Sequence, residues 1–414
     1  MNEGHDVIVI GAGVVGLMIA MQIREAGAGV VIVDDGTRTP ASVRNAGLIV
    51  PSYSEPVPSR DDIAHFLRSA FSGGSTVGMS LPKTSPEVRW MFEAATSALN
   101  GASHRRRAEL LIRLSDCSLR LLERTIRERA LDVGWKRTGS LQVFDSPASL
   151  KNADAHVQRM RKLGVEADVL NREAARKIEP LLHARIEGAI HYPGDAAVDP
   201  VLLTEALRNA AMQQGIRLID ARVVEFIRIG ERVVGISTSS EEIRAERIVV
   251  AAGAWSAALL SKLGVRLPIV PGKGYALDVA GFGTVQRPLI LHDSHVVVTP
   301  LSDRIRFTTG LQLVGFDSST SERVMQHIRK AVDGALNGVR VPTASTLLYG
   351  FRPLSPDGVP IVGALKRHPE LIVAGGHGVL GVTLAAHTGE LVKRLASGEH
   401  ADDARYLSPR RFGI

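Results

Sequence analysis

Three glycines and a carboxylate near the N-terminus have the types and spacing needed to bind a dinucleotide. Gly11, Gly13 and Gly16 follow the apolar run 7–10, and Asp34 ends the next apolar run. The first glycine permits a tight turn, the second lets the backbone approach a pyrophosphate, and the third lets a helix pack closely on a sheet. A carboxylate at the end of the second strand can accept hydrogen bonds from ribose hydroxyls. This stretch therefore predicts a strand, a glycine turn, a helix whose N-terminus faces the phosphates, and a second strand.

Two later apolar runs are predicted to join the same sheet. In residues 247–253, a continuous apolar run follows Arg247 and ends in small residues. That pattern is typical of a buried parallel strand with a ligand at its carboxyl end. Residues 369–375 are predicted to form another strand, followed by the small-residue turn 376–381 and a closing helix over 382–395. We expect both strand ends to face the dinucleotide.

The segments between these strands favour a second domain. Residues 267–350 consist mainly of β-like runs around one helix near 321–336, which predicts an antiparallel sheet. Residues 61–71, 87–99 and 105–131 carry apolar residues at three- and four-residue spacing and are predicted to be helices. The chain of 414 residues is long enough for one large or two ordinary domains.

Composition and charge narrow the class of protein. Apolar residues make up 45% of the chain and charged residues 22%, which is typical of a soluble globular protein. The net charge is +7, which suits an anionic cofactor and acidic small molecules. We expect no nucleic-acid partner, because the densest basic run, 105–107, lies in a predicted helix as a solvated face. The lone Cys117 excludes an internal disulfide framework and a clustered thiolate metal site.

The sequence shows no pattern typical of a signal peptide or of a membrane-spanning helix, and the location of the protein is predicted from this. The N-terminal residues lack the basic region and continuous apolar core of a signal peptide, and the longest apolar stretch, 7–21, is interrupted by glycines. That stretch is also shorter than a bilayer span. We therefore expect a cytoplasmic protein. The basic tail 409–414 leaves a peripheral contact with the inner face of the cell membrane as an alternative.

Several motifs along the chain resemble one family. They are Ala41-Ser-Val-Arg-Asn-Ala-Gly-Leu-Ile-Val-Pro-Ser-Tyr53, Thr138-Gly-Ser-Leu-Gln-Val-Phe144, Pro271-Gly-Lys-Gly-Tyr275, Val314-Gly-Phe-Asp317, Gly350-Phe-Arg-Pro-Leu-Ser-Pro-Asp-Gly-Val-Pro-Ile-Val-Gly363 and Gly375-Gly-His-Gly-Val-Leu-Gly-Val-Thr383. The chain resembles the D-amino-acid oxidase superfamily of flavoproteins, and within it the bacterial D-amino-acid dehydrogenases most closely. The motifs occur in the same order from one end of the chain to the other, so the resemblance covers nearly its whole length.

The fold that the resemblance implies is α/β, with a Rossmann-like FAD-binding domain of the glutathione-reductase type. The second domain is a mainly antiparallel β-sheet that carries helices and binds the substrate. We place the discontinuous FAD-binding domain at 1–57, 196–257 and 346–414, and the substrate-binding domain at 58–195 and 258–345.

The resemblance implies an FAD that is bound noncovalently, because Cys117 is in the wrong place for a covalent flavin tether. It implies no metal. The N-terminus of the closing helix would face the flavin edge that becomes anionic on reduction. The residues that would contact the cofactor are Gly11, Gly13, Val14, Val15, Gly16, Asp34, Asp35, Arg44, Asn45, Ala46, Gly47, Leu48, Val223, Ala252, Gly253, Trp255, Gly376, His377, Gly378, Val379, Leu380 and Gly381.

Arg352 is the predicted substrate-binding residue. The resemblance implies that its guanidinium holds the substrate carboxylate, and a planar guanidinium matches a carboxylate with two parallel hydrogen bonds. The alternative is a structural arginine that pairs with Asp357 or caps a helix. His377 is predicted to donate a hydrogen bond to the flavin or to act through its backbone alone. Tyr275 and His295 are further candidates for the pocket, and His295 stands where the dehydrogenases tend to have tyrosine.

The activity that the resemblance implies is oxidative deamination of a D-amino acid to the 2-oxo acid and ammonia. Hydride would pass from the α carbon to flavin N5, and the electrons would leave to a quinone, another acceptor or oxygen. Three alternatives stay open: oxidation of a secondary amino acid or glycine (D-hydroxyproline, sarcosine or an opine), alone or as one subunit of a complex; a nicotinamide-dependent dehydrogenase; and a flavin-binding subunit without turnover. The sequence does not predict the oligomeric state.

Overall fold

The computed structural model describes residues 5–57, 77–79, 85–281, 285–399 and 401–414. The strands are β1 His5–Ile10, β2 Val30–Asp34, β3 Leu48–Ile49, β4 Val77–Met79, β5 Ser140–Phe144, β6 Asp168–Asn171, β7 Gly188–Tyr192, β8 Ala196–Ala197, β9 Arg217–Asp220, β10 Val223–Ile229, β11 Arg232–Thr238, β12 Glu242–Val250, β13 Val270–Ala280, β14 Leu289–Leu291, β15 Val296–Pro300, β16 Arg304–Leu313, β17 Leu347–Leu354, β18 Ile361–Ala364 and β19 Leu371–Gly375.

The α-helices of the same ranges are α1 Val14–Glu25, α2 Ser85–Leu99, α3 Gly101–Glu128, α4 Pro147–Leu150, α5 Ala153–Lys162, α6 Arg172–Ile178, α7 Pro200–Gln213, α8 Ser256–Ser261, α9 Glu322–Ala335, α10 Gly381–Ala396 and α11 Ala404–Leu407. Short 3-10 turns lie at Ala41–Arg44, Pro51–Tyr53, Gly253–Trp255, Gly378–Leu380 and Pro409–Phe412. In the described ranges, no helix is long and apolar enough to cross a bilayer.

The first sheet contains the glycine-turn strand at its centre. Its parallel strands lie in the order β9, β2, β1, β12 and β19, and β18 pairs antiparallel with β19. The hairpin of β10 and β11 extends the sheet from β12. The side chains of β1 and β2 are buried on both faces of the sheet, which explains their continuous apolar sequence. The predicted strand, glycine turn, helix and strand are confirmed, and so are the parallel strands β12 and β19.

The second sheet is mainly antiparallel, as predicted. Its strands lie in the order β17, β13, β16, β15, β14, β5, β7 and β6, and β4 pairs with β16. Helix α9 covers one face, where Ile328 and Val332 pack in the same apolar core as Leu277 and Phe307. On the other face, Ile290 packs against Leu48 next to the first sheet. The ligand cavity lies on this second face.

One predicted domain boundary needs a correction, although the division into domains stays a prediction. Strand β17 starts after the predicted boundary at residue 346, yet it pairs along its length with β13 in the second sheet. The residues of a strand do not show which strand it pairs with, so the sequence alone could not assign β17 to the second sheet. The helix predicted over 61–71 lies outside the described residues. Cys117 lies half-buried on α3, and burial raises the pKa of its thiol.

Candidate functional site

A cavity of about 370 Å³ lies between the carboxyl ends of the first sheet and strands β13 and β17 of the second. Most of the residues predicted to bind cofactor or substrate line it. These are Gly11, Gly13, Val15, Asp34, Asp35, Arg44, Asn45, Val223, Ala252, Gly253, Trp255, Arg352, His377, Gly378 and Gly381. The structure thus brings together segments from four distant parts of the chain.

The glycine turn supplies the backbone end of the cavity. Gly11 has φ +110°, and a Cβ there would lie 2.5 Å from the carbonyl oxygen of Ala251. The N-cap residue of α1, Gly13, has no side chain to cap the helix, and in the first turn the N–H of Val14 donates to Ser42 Oγ at 3.2 Å. The turn therefore presents backbone donors and the positive end of the helix dipole to the cavity, as a phosphate group requires.

Asp34 closes β2 at the cavity wall. Its Oδ2 accepts from the N–H of Ala12 at 2.7 Å, and its Oδ1 accepts from the N–H of Gly36 at 2.9 Å. These bonds hold the carboxylate across the glycine turn. Each carboxylate oxygen keeps a further lone pair that can accept from a ribose hydroxyl.

The charged residues of the lining favour an anionic ligand. Among the described residues that line the cavity, two are carboxylates and five are cationic: Asp34 and Asp35 against Arg38, Arg44, Arg222, Lys262 and Arg352. Four lining residues were not predicted from the sequence: Arg38, Ser42, Arg222 and Lys262. Arg38 and Ser42 follow shortly after the acidic strand end, which is a usable sequence signal. The positions of Arg222 and Lys262 depend on the long-range pairing of the sheet.

Arg352 reaches the cavity from β17. Its Nη1 donates to the carbonyl oxygen of Gly310 at 2.6 Å, and burial lowers the pKa of its guanidinium to about 10, so it stays charged at neutral pH. In the part of the chain that the structure describes, Arg352 forms no ion pair. The alternative that it pairs with Asp357 is wrong, because that carboxylate accepts from Arg411 Nε at 2.8 Å and Nη2 at 3.2 Å. Nor does Arg352 cap any of the helices within the described ranges.

His377 lies at the turn before α10. Its ring is 4% exposed, and Nε2 lies 2.9 Å from Thr388 Oγ1 on that helix. Burial lowers the pKa of His377 to about 4, so the imidazole is neutral at pH 7. Its backbone carbonyl accepts from the N–H of Leu380 at 2.9 Å, which closes the turn. The side chain thus fixes the turn to α10, while the residue also lines the cavity.

Tyr275 and His295 are not brought to the cavity, which corrects the predicted pocket. Tyr275 is buried and donates from its hydroxyl to Gln312 Oε1 at 2.7 Å. It neighbours Gly274 on β13, and because side chains alternate along a strand, it points to the opposite face. His295 is exposed at the turn between β14 and β15, with φ +53°.

Other predicted cofactor residues lie behind the lining. They are Val14, Gly16, Ala46, Gly47, Leu48, Gly376, Val379 and Leu380. Gly16 instead allows α1 to approach β1, because a Cβ there would overlap the carbonyl oxygen of Gly11. Gly47 has φ +79° and faces the carbonyl of Val198 in the same way. These glycines shape the site without lining it.

A buried ion pair fastens the loop 41–48 to the second sheet. Arg306 is 1% exposed and donates from Nε and Nη2 to the two oxygens of Asp278, each at 2.7 Å. Its Nη1 donates to the carbonyl oxygens of Val43 at 2.9 Å and Asn45 at 3.0 Å. The loop that borders the cavity is therefore held by a side chain from β16.

Comparison with known proteins identifies the family. The family model described as FAD dependent oxidoreductase matches residues 6–395. Among solved structures, glycine oxidase from Geobacillus kaustophilus is 23% identical over 99% of this chain and 98% of its own, with a TM-score of 0.74. Iminodiacetate oxidase from Chelativorans sp. is 22% identical over 97% and 98%, with a TM-score of 0.72. L-proline dehydrogenase from P. horikoshii is 21% identical over 100% and 98%, with a TM-score of 0.71. These three likenesses show a shared fold.

Proposed function

We propose that this chain, which belongs to the family of FAD-dependent oxidoreductases, oxidises the Cα–N bond of a D-amino acid. The products would be the 2-oxo acid and ammonia, released after hydrolysis of the imino acid in water. One observation carries the proposal: Arg352 offers a half-buried guanidinium without an anionic partner among the described residues, in the same cavity as the glycine turn.

Arg352 fits the role of carboxylate receptor. A guanidinium has five N–H donors, and the Gly310 carbonyl takes one bond from Nη1. The remaining donors can bind a carboxylate through two parallel hydrogen bonds, which orients the substrate as well as holding it. An unpaired cation in a partly buried site is costly, so a carboxylate ligand also removes an electrostatic penalty.

The cavity fits FAD together with a carboxylate substrate. The glycine turn and α1 would hold the pyrophosphate, Asp34 the ribose, and the turn before α10 the flavin end. Bound FAD supplies the hydride acceptor. The five cations and two carboxylates of the described lining leave three positive charges, which match a pyrophosphate and one carboxylate. The electrostatic balance therefore supports a monocarboxylate substrate.

The described part of the cavity offers no strong general base near Arg352. Its carboxylates are Asp34 and Asp35 at the ribose end, and His377 is bound to Thr388 and has a pKa of about 4. We infer that the substrate reacts as the free amine and that water takes the ammonium proton. Binding and orientation by Arg352 then supply most of the catalysis.

The preference for a D-amino acid and for a quinone-like acceptor rests on the motifs of the sequence. The structural neighbours are named for glycine, iminodiacetate and L-proline, so a secondary amine or glycine is the second candidate. The fold of these neighbours supports oxidation next to an amine nitrogen in both cases. The choice between the two candidates depends on the substrate side chain and needs a direct test.

The test is anaerobic bleaching of the flavin in the purified protein. D-amino acids, their L-enantiomers and N-substituted glycines or prolines are added one class at a time, and the visible spectrum is recorded. We expect D-amino acids to bleach the flavin and the Arg352→Ala variant to lose that response while keeping its FAD. Bleaching by N-substituted amino acids alone would select the second candidate. A flavin that no amine bleaches would contradict both.

A further inference from the structure

The guanidinium of Arg352 lies on a seat made by two glycines of neighbouring strands. Arg352 on β17 is directly opposite Gly272 of β13, and its side chain runs diagonally across β13 at Gly274. A Cβ at residue 274 would lie less than 3 Å from Cζ, Nη1 and Nη2 of the guanidinium. No side chain larger than that of glycine can therefore occupy residue 274 while the arginine keeps this position.

The second glycine belongs to β16, the third strand in the row. In the pairing of β13 with β16, Lys273 is opposite Gln312 and Tyr275 is opposite Thr309, so Gly310 and Leu311 together face one residue. This is a β-bulge, and its first residue, Gly310, has φ +82°. The bulge turns the Gly310 carbonyl out of the regular ladder, where it accepts from Arg352 Nη1 at 2.6 Å.

We propose that Gly274 and Gly310 are positioning residues that seat the Arg352 guanidinium for the carboxylate of the substrate. Gly274 lets the guanidinium lie flat across the strand, and the Gly310 carbonyl fixes its rotation through one hydrogen bond. The N–H groups on Nε and Nη2 of Arg352 then have a fixed orientation in the cavity. The inference rests on the proposed function and names the residues that determine how the carboxylate is recognised.

A rigid seat matters because two parallel hydrogen bonds need the guanidinium plane to match the carboxylate plane. An arginine side chain has several rotatable bonds and loses much rotamer entropy when it is ordered. The seat orders it before the ligand arrives. A displacement of about 1 Å in such a group can cost about 100-fold in rate.

The test compares FAD-loaded, full-length variants by their binding of benzoate and acetate, measured by calorimetry and by the visible spectrum of the flavin. We expect Gly274→Ala to raise the dissociation constant for both carboxylates about 10- to 100-fold, as for the loss of a hydrogen bond between charged groups. Its KM for the amino acid should rise, and its kcat should fall as well, because a misplaced carboxylate misorients the Cα–H bond. Gly310→Ala should act in the same direction, because alanine strains a backbone at φ +82°.

Gly272→Ala is the matched control. It lies on the same strand and face, and its Cβ would meet side-chain atoms of Leu354 and Leu311 as its three nearest neighbours. This variant should lose thermal stability to a similar extent but bind both carboxylates as the wild type does. If Gly274→Ala does not fold, Gly310→Ala by itself still tests whether the glycines position the guanidinium.

A double-mutant cycle separates positioning from general damage. In an Arg352→Ala background, Gly274→Ala should change carboxylate binding no further, because its effect acts through the arginine. The proposed role of the two glycines would be contradicted if the losses of carboxylate affinity in Gly274→Ala and Arg352→Ala were additive. It would also be contradicted if Gly274→Ala and Gly310→Ala bound carboxylates as the wild type does. If Arg352→Ala itself binds benzoate like the wild type, the proposed function fails instead, so the two failures are distinguishable.

Discussion

The two ends of the ligand cavity are built in different ways. The cofactor end is made mostly by one local unit, β1, the glycine turn, α1 and β2, and its ligand-facing groups include backbone N–H donors and the carboxylate of Asp34. The substrate end is made by side chains and carbonyls from β13, β16 and β17, which are far apart in the sequence. At the cofactor end, the residue type at each position is restricted by neighbours that are close in the sequence. At the substrate end, the site depends on which residues of distant strands come into contact.

This difference has a consequence for substitutions. At the cofactor end, glycine is required because backbone packs on backbone, so a change there affects the fold and the cofactor together. At the substrate end, glycine makes room for one side chain, so a change there can leave the fold and the cofactor in place. The two ends should therefore separate in measurements of stability and of ligand binding.

The largest expected effect is that of Gly11→Ala. The new methyl group would lie 2.5 Å from the carbonyl oxygen of Ala251, and the backbone at φ +110° disfavours alanine. Unfolding free energy should fall by about 4 kcal/mol or more, with loss of bound FAD. Gly264→Ala is the control: φ is +69° and nothing lies within 4 Å, so it should cost about 1 to 2 kcal/mol. Equal losses in denaturant melts of the two would contradict a backbone-packed cofactor end.

The junction between the two ends gives the next effect. Asp278→Ala would leave the buried Arg306 without its carboxylate and should lower the unfolding free energy by about 3 to 5 kcal/mol. Because Arg306 also holds the carbonyls of Val43 and Asn45, FAD affinity should fall as well. The control is Asp303→Asn, whose partner is Arg304 and whose side chain is 68% exposed. That change should cost about 1 kcal/mol or less. A small loss in Asp278→Ala would mean that the loop is held by other contacts.

The same difference explains how much of the molecule could be predicted. The parallel strands, α1, the turn before α10 and the contacts of Gly11, Gly13 and Asp34 with the cavity follow from local patterns, because each depends on residues near in sequence. The division into two sheets followed from the change in periodicity near residue 267. For the substrate end, Arg352 was predicted from the resemblance to a family, and it lines the cavity.

The rest could not be predicted because it depends on register. Tyr275 was expected in the pocket, but one residue of offset along β13 separates the cavity face from the opposite face. The seat requires a bulge at Gly310; a glycine inside a strand is a local signal for a bulge, but β16 itself does not show that the freed carbonyl meets Arg352 of β17. The clamp of Arg306 on the loop 41–48 joins residues more than 260 positions apart. Such contacts are fixed only when the sheets assemble.

The turn before α10 can be tested by pH. The unfolded chain binds a proton at His377 near pH 6.5, and the native chain does so only near pH 4, so the native state binds fewer protons between these values. Unfolding free energy should therefore fall as pH falls from 6.5 to 4, by about 3 kcal/mol. Burial raises the pKa of Asp195 to about 6, which acts in the opposite direction in the same window. The measure is thus the difference in unfolding free energy between the wild type and His377→Gln, which should change by about 3 kcal/mol between pH 6.5 and 4 and stay constant below pH 4. A difference that does not depend on pH would contradict a neutral, buried imidazole.

The smallest expected effect concerns an exposed contact between the two ends. Trp255 of the cofactor end stacks on Phe316, which follows β16, with ring centroids 5.4 Å apart and 17° between the planes. Phe316 is 45% exposed, so much of its surface gains nothing from burial. Phe316→Ala should lower the unfolding free energy by about 1 kcal/mol, since Trp255 keeps its edge contact with Phe351. The measurement is a denaturant melt followed by tryptophan fluorescence.

The outcome for Phe316→Ala decides what joins the two ends of the cavity. Phe92→Ala removes a ring on α2 that is 70% exposed, so it serves as the control and should have almost no effect. If Phe316→Ala costs about 1 kcal/mol and FAD content is unchanged, the buried pair of Arg306 and Asp278 holds the ends together and the aromatic stack adds to it. If Phe316→Ala lowered the unfolding free energy as much as Asp278→Ala does, the aromatic stack would contribute as much as the ion pair. The junction would then depend on surface stacking, and the two ends could separate without breaking the buried ion pair.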